Sequence, residues 1–245
     1  MKKTLACLLG VGLWACAKPA AQTACPPQAV LAESQPEPIE LSPLIPARAY
    51  GLLHLRASTA WLRTLAGSTF LGEPDAAETQ KVVDEVDGYL REQLGVETRD
   101  LRRVTAFAVG QDKPLVAVLL HDVGGQLKGE TIGEYQGARL IRVSDGIAAH
   151  AGGGLIVGAD GAVRAALDAG ADVGKRLSAS SALAKLVTTG TERDAFVCAL
   201  DAALLPPEAR IVVAPWGVRL ASLTLGERIR LTVTGEKEQL GRLKE

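Results

Sequence analysis

The alternation of apolar and polar residues predicts a chain of short strands interrupted by a few helices. Runs of about four to eight apolar or alternating residues are typical of strands. We predict strands at 49–55, 104–109, 115–121, 138–143, 147–151, 155–158, 195–200, 217–225 and 228–234. Residues 115–120 are apolar at every position, so we expect this strand in the middle of a sheet that is covered on both faces.

Four other stretches have helical spacing of apolar residues. The clearest is 76–94, which Gly95 can end in the left-handed conformation. Shorter helices are predicted at 59–66, 161–169 and 181–188, the last two with Asp160 and Ser180 as N-caps. Hairpins with helices collected between them indicate an α+β fold, in which several helices pack on a largely antiparallel sheet of short hairpins.

One stretch of the chain resembles a known structural unit. The sequence GLIVGADGAVRAAL at 154–167 is similar to a strand–turn–helix module of uncharacterised secreted α+β bacterial proteins. In those proteins a strand pair plus a helix often occurs twice, and residues 218–243 would here begin a second copy. The resemblance implies an α+β fold and no activity.

The first residues have the pattern of a secretory signal peptide. Lys2 and Lys3 precede an apolar stretch at 4–15 that is shorter than the roughly 20 residues needed to span a bilayer. The sequence Leu-Trp-Ala-Cys at 13–16 resembles the lipobox of bacterial lipoproteins, although that family usually has a small residue in place of the tryptophan. The resemblance implies that residues 1–15 are removed and that Cys16 carries the lipid.

The residues after Cys16 are expected to form a tether. In the lipoprotein family an Asp directly after the cysteine commonly retains the protein at the inner membrane. Ala17 therefore implies an outer-membrane anchor, with the chain facing the periplasm or the surface. A segment rich in proline favours extended structure and buries little surface. The prolines up to residue 46 are Pro19, Pro26, Pro27, Pro36, Pro38, Pro43 and Pro46. We assign 16–46 to the lipid anchor and tether, and 47–245 to a single domain.

Composition and motifs exclude several classes of protein. The chain has 27 Lys and Arg against 28 Asp and Glu, so it lacks the basic excess of a nucleic-acid binder. Gly124 and Gly129 have the spacing of a phosphate-binding loop, but Glu130 stands where that loop needs a lysine. The sequence also lacks the nucleophile elbow of serine hydrolases and the paired-ligand motifs of zinc sites. We therefore expect neither a cofactor nor a metal, and we assign no catalytic residue.

His121 and Asp122 are the strongest candidates for chemistry. An adjacent His and Asp at a strand end can act as a base and its orienting acid. The more conservative interpretation is a structural histidine beside an aspartate that starts a turn, and the basic stretch 99–103 is interpreted as a solvated turn. Two functions remain open. The first is a non-catalytic domain that binds an envelope protein or an apolar ligand, and the second is a hydrolase with a dispersed His/Asp site.

Two cysteines remain after removal of the signal and acylation of Cys16. The bacterial envelope is oxidising, so a disulfide between Cys25 and Cys198 is permitted. The alternative is a Cys198 buried in its strand as a small apolar residue, with Cys25 unpaired in the tether.

Overall fold

A single antiparallel sheet dominates the computed structural model, which describes residues 39–56, 76–144, 146–188, 196–225 and 229–235. The ten strands are β1 (Gly51–Arg56), β2 (Arg103–Val109), β3 (Leu115–His121), β4 (Thr131–Tyr135), β5 (Ala138–Val143), β6 (Gly146–Ala151), β7 (Gly154–Gly158), β8 (Phe196–Asp201), β9 (Val218–Leu225) and β10 (Ile229–Gly235). Their order across the sheet is β10-β9-β8-β1-β2-β3-β7-β6-β5-β4. The predicted class, α+β with a largely antiparallel sheet, is confirmed.

Helices occupy the connections between these strands. Those in the described ranges are α1 (Ala76–Tyr89), α2 (Asp160–Ala171), α3 (Ala182–Thr188) and α4 (Pro207–Val213). A single turn of π-helix, Leu90–Leu94, extends α1, and Gly95 ends it with a φ of 65°, as predicted. The helix predicted at 59–66 lies outside the described residues. Across the part of the chain that the structure describes, no helix is long and apolar enough to cross a bilayer.

Two helix starts differ from the predicted caps. Asp160 is the first residue of α2 rather than its cap, and its carboxylate binds Arg164 one turn later at 2.9 Å. Ser181, not Ser180, caps α3, because its Oγ accepts a hydrogen bond from the backbone N–H of Ala184 at 3.1 Å. Adjacent polar residues compete for the same backbone N–H groups, so the sequence alone leaves the cap uncertain by one residue.

Both faces of the sheet are covered. Strand β3 lies between β2 and β7, in the middle of the sheet, as its unbroken apolar sequence predicted. Its residue Leu119 belongs to the apolar layer under α2 and α3, whereas the next residue, Leu120, belongs to the layer under α1 and its π turn. Adjacent residues of a strand point to opposite faces, so an apolar run supplies both layers at once. We call these faces the α2–α3 face and the α1 face.

The segment that leads into β1, which we call the strap (residues 39–49), packs into the α2–α3 layer. Ile39 and Ile45 are 2% and 0% exposed, respectively. The backbone N–H of Leu177 donates to the Ile45 carbonyl at 2.8 Å, and the N–H of Ala47 donates to the Lys175 carbonyl at 2.8 Å. The packed domain therefore includes residues 39–46, which the sequence analysis assigned to the tether.

Leu44 shows why the strap needs small neighbours. A Cβ placed on Gly152 or Gly170 would lie 2.9 Å or 2.7 Å from the end of the Leu44 side chain. Gly152 also has a φ of 56°, a left-handed conformation that glycine adopts without strain. These two glycines, one in the turn between β6 and β7 and one in α2, leave the space that Leu44 fills.

We expect Ile45→Ala to lower the free energy of unfolding by about 2–5 kcal/mol, because it removes a fully buried aliphatic side chain. Glu40→Ala is the control in the same segment, since Glu40 is exposed and should change stability by less than about 0.5 kcal/mol. Urea unfolding followed by circular dichroism measures both. Equal stability of the two variants would show that the strap behaves as a tether.

Candidate functional site

Two of the three histidines meet across the central strands on the α2–α3 face. His54 in β1 lies opposite Thr105 in β2, and His121 in β3 lies opposite Arg103, two residues before Thr105. The Thr105 hydroxyl is 3.0 Å from His54 Nδ1 and 2.8 Å from His121 Nε2. The two imidazole centroids are 6.4 Å apart. With Asp122, these residues form what we call the His54–His121 cluster.

The Thr105 hydroxyl fixes the protons of this cluster. A hydroxyl has one hydrogen and can therefore donate to only one of the two imidazoles, so the other imidazole donates its N–H to the hydroxyl oxygen. When both rings are neutral, His54 and His121 must therefore present complementary nitrogens to Thr105, one protonated and one bare. The arrangement satisfies a polar group in the core, where an unpaired group would be costly.

Burial keeps both imidazoles neutral at pH 7. His54 is 4% exposed, and burial lowers its pKa to about 4, with smaller contributions from the positive charges of His121 and Arg103. The pKa of His121 is also lowered, first by burial and then by Arg103, while Asp122 acts in the opposite direction. The cluster is therefore a neutral pair of rings beside a permanent positive charge.

Asp122 is not aligned as the orienting acid of His121. Its Oδ2 accepts a hydrogen bond from Arg103 Nη2 at 2.6 Å, and this bond is the largest cause of its lowered pKa. The backbone of Asp122 has a φ of 56°, a left-handed conformation that aspartate tolerates in turns. The adjacent pair that the sequence singled out therefore contacts two different partners, with His121 bound to Thr105 and Asp122 bound to Arg103.

Thr105 and His54 were not predicted as members of this cluster. Each interrupts an apolar run inside its strand, His54 between Leu53 and Leu55 and Thr105 between Val104 and Ala106, which is a signal that the sequence does carry. Their meeting depends on the register of β1 against β2, which the sequence does not specify. His150 does not join them. It is exposed in β6 opposite Leu155, which shares the α1 face with Leu120, whereas His121 points to the other face.

The predicted basic turn at 99–103 is divided between two ion pairs. Arg99 Nε lies 2.7 Å from Glu97 Oε2 in the solvent, while Arg103 reaches Asp122. Arg99 and Glu97 are solvated, as predicted, and exposed pairs of this kind contribute little stability. Arg103 differs from the prediction, because it begins β2 and its side chain is 33% exposed. Arg99 and Arg103 therefore bind different carboxylates.

A further polar cluster fastens the turn between β4 and β5 to α2. Asp168 Oδ1 accepts hydrogen bonds from Tyr135 Oη at 2.9 Å and from Gln136 Nε2 at 2.8 Å. Lys175 Nζ lies 3.4 Å from the other oxygen, and Arg164 stacks over the Tyr135 ring. The Asp168 carboxylate is thus occupied by three donors, and its pKa is lowered, chiefly by the hydrogen bond from Gln136. Strand β4, which the sequence analysis missed, is held in place by this contact.

The chemistry open to the His54–His121 cluster is limited by its position. A hydroxyl between two imidazoles has the composition of an activated nucleophile. However, Thr105 is 3% exposed in a strand that is covered on both faces, so a substrate cannot approach its oxygen. Comparison of the chain with protein-family models, curated proteins and solved structures found no match. The geometry favours a structural role for the cluster.

Cys198 lies in β8 between Leu53 of β1 and Leu223 of β9. Burial raises the pKa of its thiol to about 11. The thiol is therefore protonated at neutral pH and reacts slowly, because the thiolate is the nucleophile. Cys25 lies outside the described residues, so the disulfide remains a prediction.

We expect the free energy of unfolding to rise by about 3 kcal/mol between pH 4 and pH 6.5 because of His54. The unfolded chain binds a proton at this residue below pH 6.5, whereas the folded chain does so only near pH 4. Each unit of pKa difference is equivalent to about 1.4 kcal/mol. His121 adds a contribution of the same sign, because its pKa is also lowered.

Urea unfolding of wild type and His54→Gln across this pH range measures the effect. The variant should lose the part of the pH dependence that we assign to His54 and keep the contribution of His121, while His150→Gln, which changes an exposed histidine on the opposite face, should behave as wild type. An equal pH dependence in wild type and His54→Gln would contradict the assignment.

For a free Cys198 thiol we expect alkylation by iodoacetamide at pH 8 to be about a hundredfold slower in the native protein than in urea. This ratio corresponds to the rise of its pKa from 9.0 to about 11. Peptide mass spectrometry without reductant gives the rate at Cys198 and also detects any peptide that links it to Cys25. Alkylation at equal rates in the native and unfolded protein would contradict the burial of the thiol.

Proposed function

We propose that the chain is a bacterial envelope lipoprotein, anchored through acylated Cys16, that displays a non-catalytic binding domain. The observation that carries the anchor is the lipobox-like sequence at 13–16 behind a basic start and a short apolar stretch. One acyl chain holds a protein only marginally at a membrane, whereas two or more anchor it stably. The lipoprotein family adds a diacylglycerol group, and so it supplies at least two chains.

The location follows from the same sequence. Ala17 stands where an inner-membrane lipoprotein commonly has aspartate, which favours the outer membrane and a domain facing the periplasm or the surface. Residues 17–38 separate the anchor from the packed strap. At about 3.1 Å per residue, a fully extended segment of this length would span roughly 70 Å at most, which sets the height that the domain can reach above the bilayer.

Binding rather than catalysis is supported by the state of the polar residues. The imidazoles of His54 and His121 are bonded to the buried Thr105 hydroxyl, and the Asp122 carboxylate is bonded to Arg103. His54 and Thr105 are buried and closed to a substrate, and the Asp122 carboxylate, although 60% exposed, is held by Arg103 and not by His121. Interaction with an envelope protein, an apolar ligand or a lipid surface uses the outer faces of the domain instead.

We expect Cys16→Ser to abolish acylation, because a serine hydroxyl cannot form the thioether. The variant should accumulate as the uncleaved precursor or, if another peptidase cuts it, as a water-soluble mature form. Cys25→Ser is the matched control, since it removes a cysteine of the same N-terminal region outside the lipobox-like sequence and should remain lipidated.

Partitioning into detergent and mass spectrometry of the N-terminal peptide compare the three proteins. An unmodified Cys16 in mature wild type, or a processed Cys16→Ser protein that still partitions with detergent, would refute the anchor. Circular dichroism should show the same folded domain in all three.

A further inference from the structure

The segment that follows β8 exposes apolar side chains on one part of the domain. Within the described residues, the large hydrophobic side chains that are exposed are Leu204, Ile211, Val173 and Leu231. Leu204 is 42% exposed and lies in the turn before α4, and Ile211 is 72% exposed and lies seven positions later, within α4. Ala203, Ala214 and Pro215 are also exposed. We call residues 203–215 the apolar shelf.

The fold holds the shelf in this orientation. Leu205 is buried against Tyr50, and Ala209 of α4 packs on the same small cluster. Ile211 is two residues after Ala209, which places it on the opposite side of the helix, away from the domain. The exposure is therefore a consequence of how α4 is seated.

Arg210 fixes α4 to the preceding turn. Its Nη2 donates hydrogen bonds to the carbonyl of Leu205 at 2.9 Å and to that of Ala203 at 3.3 Å. These bonds keep Leu204 and Ile211 on neighbouring turns of one segment. The charged residues beside Ile211 are Glu208 and Arg210, both exposed, and the Arg210 guanidinium is bonded to these two carbonyls.

We propose that the apolar shelf docks on the surface of the bilayer in which the Cys16 lipid is inserted. Exposed apolar patches on soluble domains mark sites of association with proteins or membranes. A lipid anchor favours the membrane over a protein partner. The tether makes contact with the membrane an intramolecular event, so the effective concentration of the lipid surface is high. A chain of the length of residues 17–38 spans roughly 70 Å at most when fully extended, which is enough to let any face of the domain reach the lipid.

The composition of the shelf suits a lipid interface. Its exposed residues combine Ile, Leu, Ala and Pro with one acid, Glu208, and one base, Arg210. The apolar side chains can enter the boundary between head groups and acyl chains while the two charges remain among the head groups. The inference rests on the proposed lipid anchor and names the membrane itself as one partner of the domain.

An environment-sensitive fluorophore at a single cysteine tests the docking. Ile211→Cys is labelled with NBD in the full-length lipidated protein, in a background of Cys25→Ser and Cys198→Ala. The protein is reconstituted into vesicles of phosphatidylethanolamine and phosphatidylglycerol. Val173→Cys is the matched control, because Val173 is 73% exposed, against 72% for Ile211, and follows α2 instead of β8.

We expect a blue shift and quenching by spin-labelled lipid at position 211, with neither at position 173. In a second experiment without the label, Ile211→Ser should shift the docking equilibrium about tenfold towards the undocked form, equivalent to about 1.4 kcal/mol, and Val173→Ser should not. Protection of residues 203–215 from hydrogen exchange on vesicles provides this equilibrium. Circular dichroism confirms that each variant is folded.

Three results would overturn the docking. They are a label at 211 that stays in water, equal shifts at 211 and 173, and a shift at 211 that depends on protein concentration or on added envelope extract instead of lipid. The last outcome identifies a second copy or a protein partner on the shelf.

A second form of the protein separates failure of docking from failure of the anchor. It carries a histidine tag in place of residues 1–15, with Cys16→Ser, and is bound to vesicles that contain a nickel-chelating lipid. The tag supplies the tether without acylation. If this form docks and Cys16 of the wild type is found unmodified, only the anchor is refuted. If the wild type is acylated and its shelf stays in water, only the docking is refuted.

Discussion

The constraint on which the structure depends is the need to cover both faces of a wide antiparallel sheet. Adjacent residues such as Leu119 and Leu120 enter separate apolar layers, one under α2 and α3 and one under α1. The hydrophobic effect stabilises both layers in proportion to the apolar area removed from water. The described helices share the coverage of this sheet with the strap. The strap, with Ile39 and Ile45 in the core, completes the α2–α3 layer.

The His54–His121 cluster places polar side chains inside that apolar layer. The free-energy cost of burying polar groups without partners explains its geometry. A buried imidazole or hydroxyl without a partner destabilises the fold, so Thr105 is placed to satisfy both rings at once. Three strands must be in register for this to happen, which makes the cluster sensitive to a slip of β1 or β3 by one residue. We infer that its value lies in fixing the register of the central strands, a role that polar groups in cores have in other systems.

Towards the edge of the sheet and on the surface of the domain, some apolar side chains remain exposed to solvent. The last strand, β10, lies at the edge of the sheet, and its residue Leu231 is 50% exposed. The apolar shelf is a second exposed surface, and it differs from Leu231 because Arg210 and Leu205 hold it against the domain. Exposed apolar surface fixed by internal contacts is suited to recognition, since little ordering entropy is lost when a partner covers it.

Local pattern determined much of this protein from the sequence alone. The unbroken apolar run at 115–120 predicted a central strand, Gly95 predicted the end of the first helix, and the hairpin spacings predicted an antiparallel α+β fold, because period and turn chemistry are properties of neighbouring residues. Sequence analysis missed the features that depend on contacts between residues far apart in the chain. Proline in the first 46 residues concealed the packed strap, and adjacency suggested His121 with Asp122. Only the register of β1, β2 and β3 joined His121 to Thr105 and His54, because hydrogen bonds form between atoms that are close in space, and the sheet places residues 51 positions apart side by side.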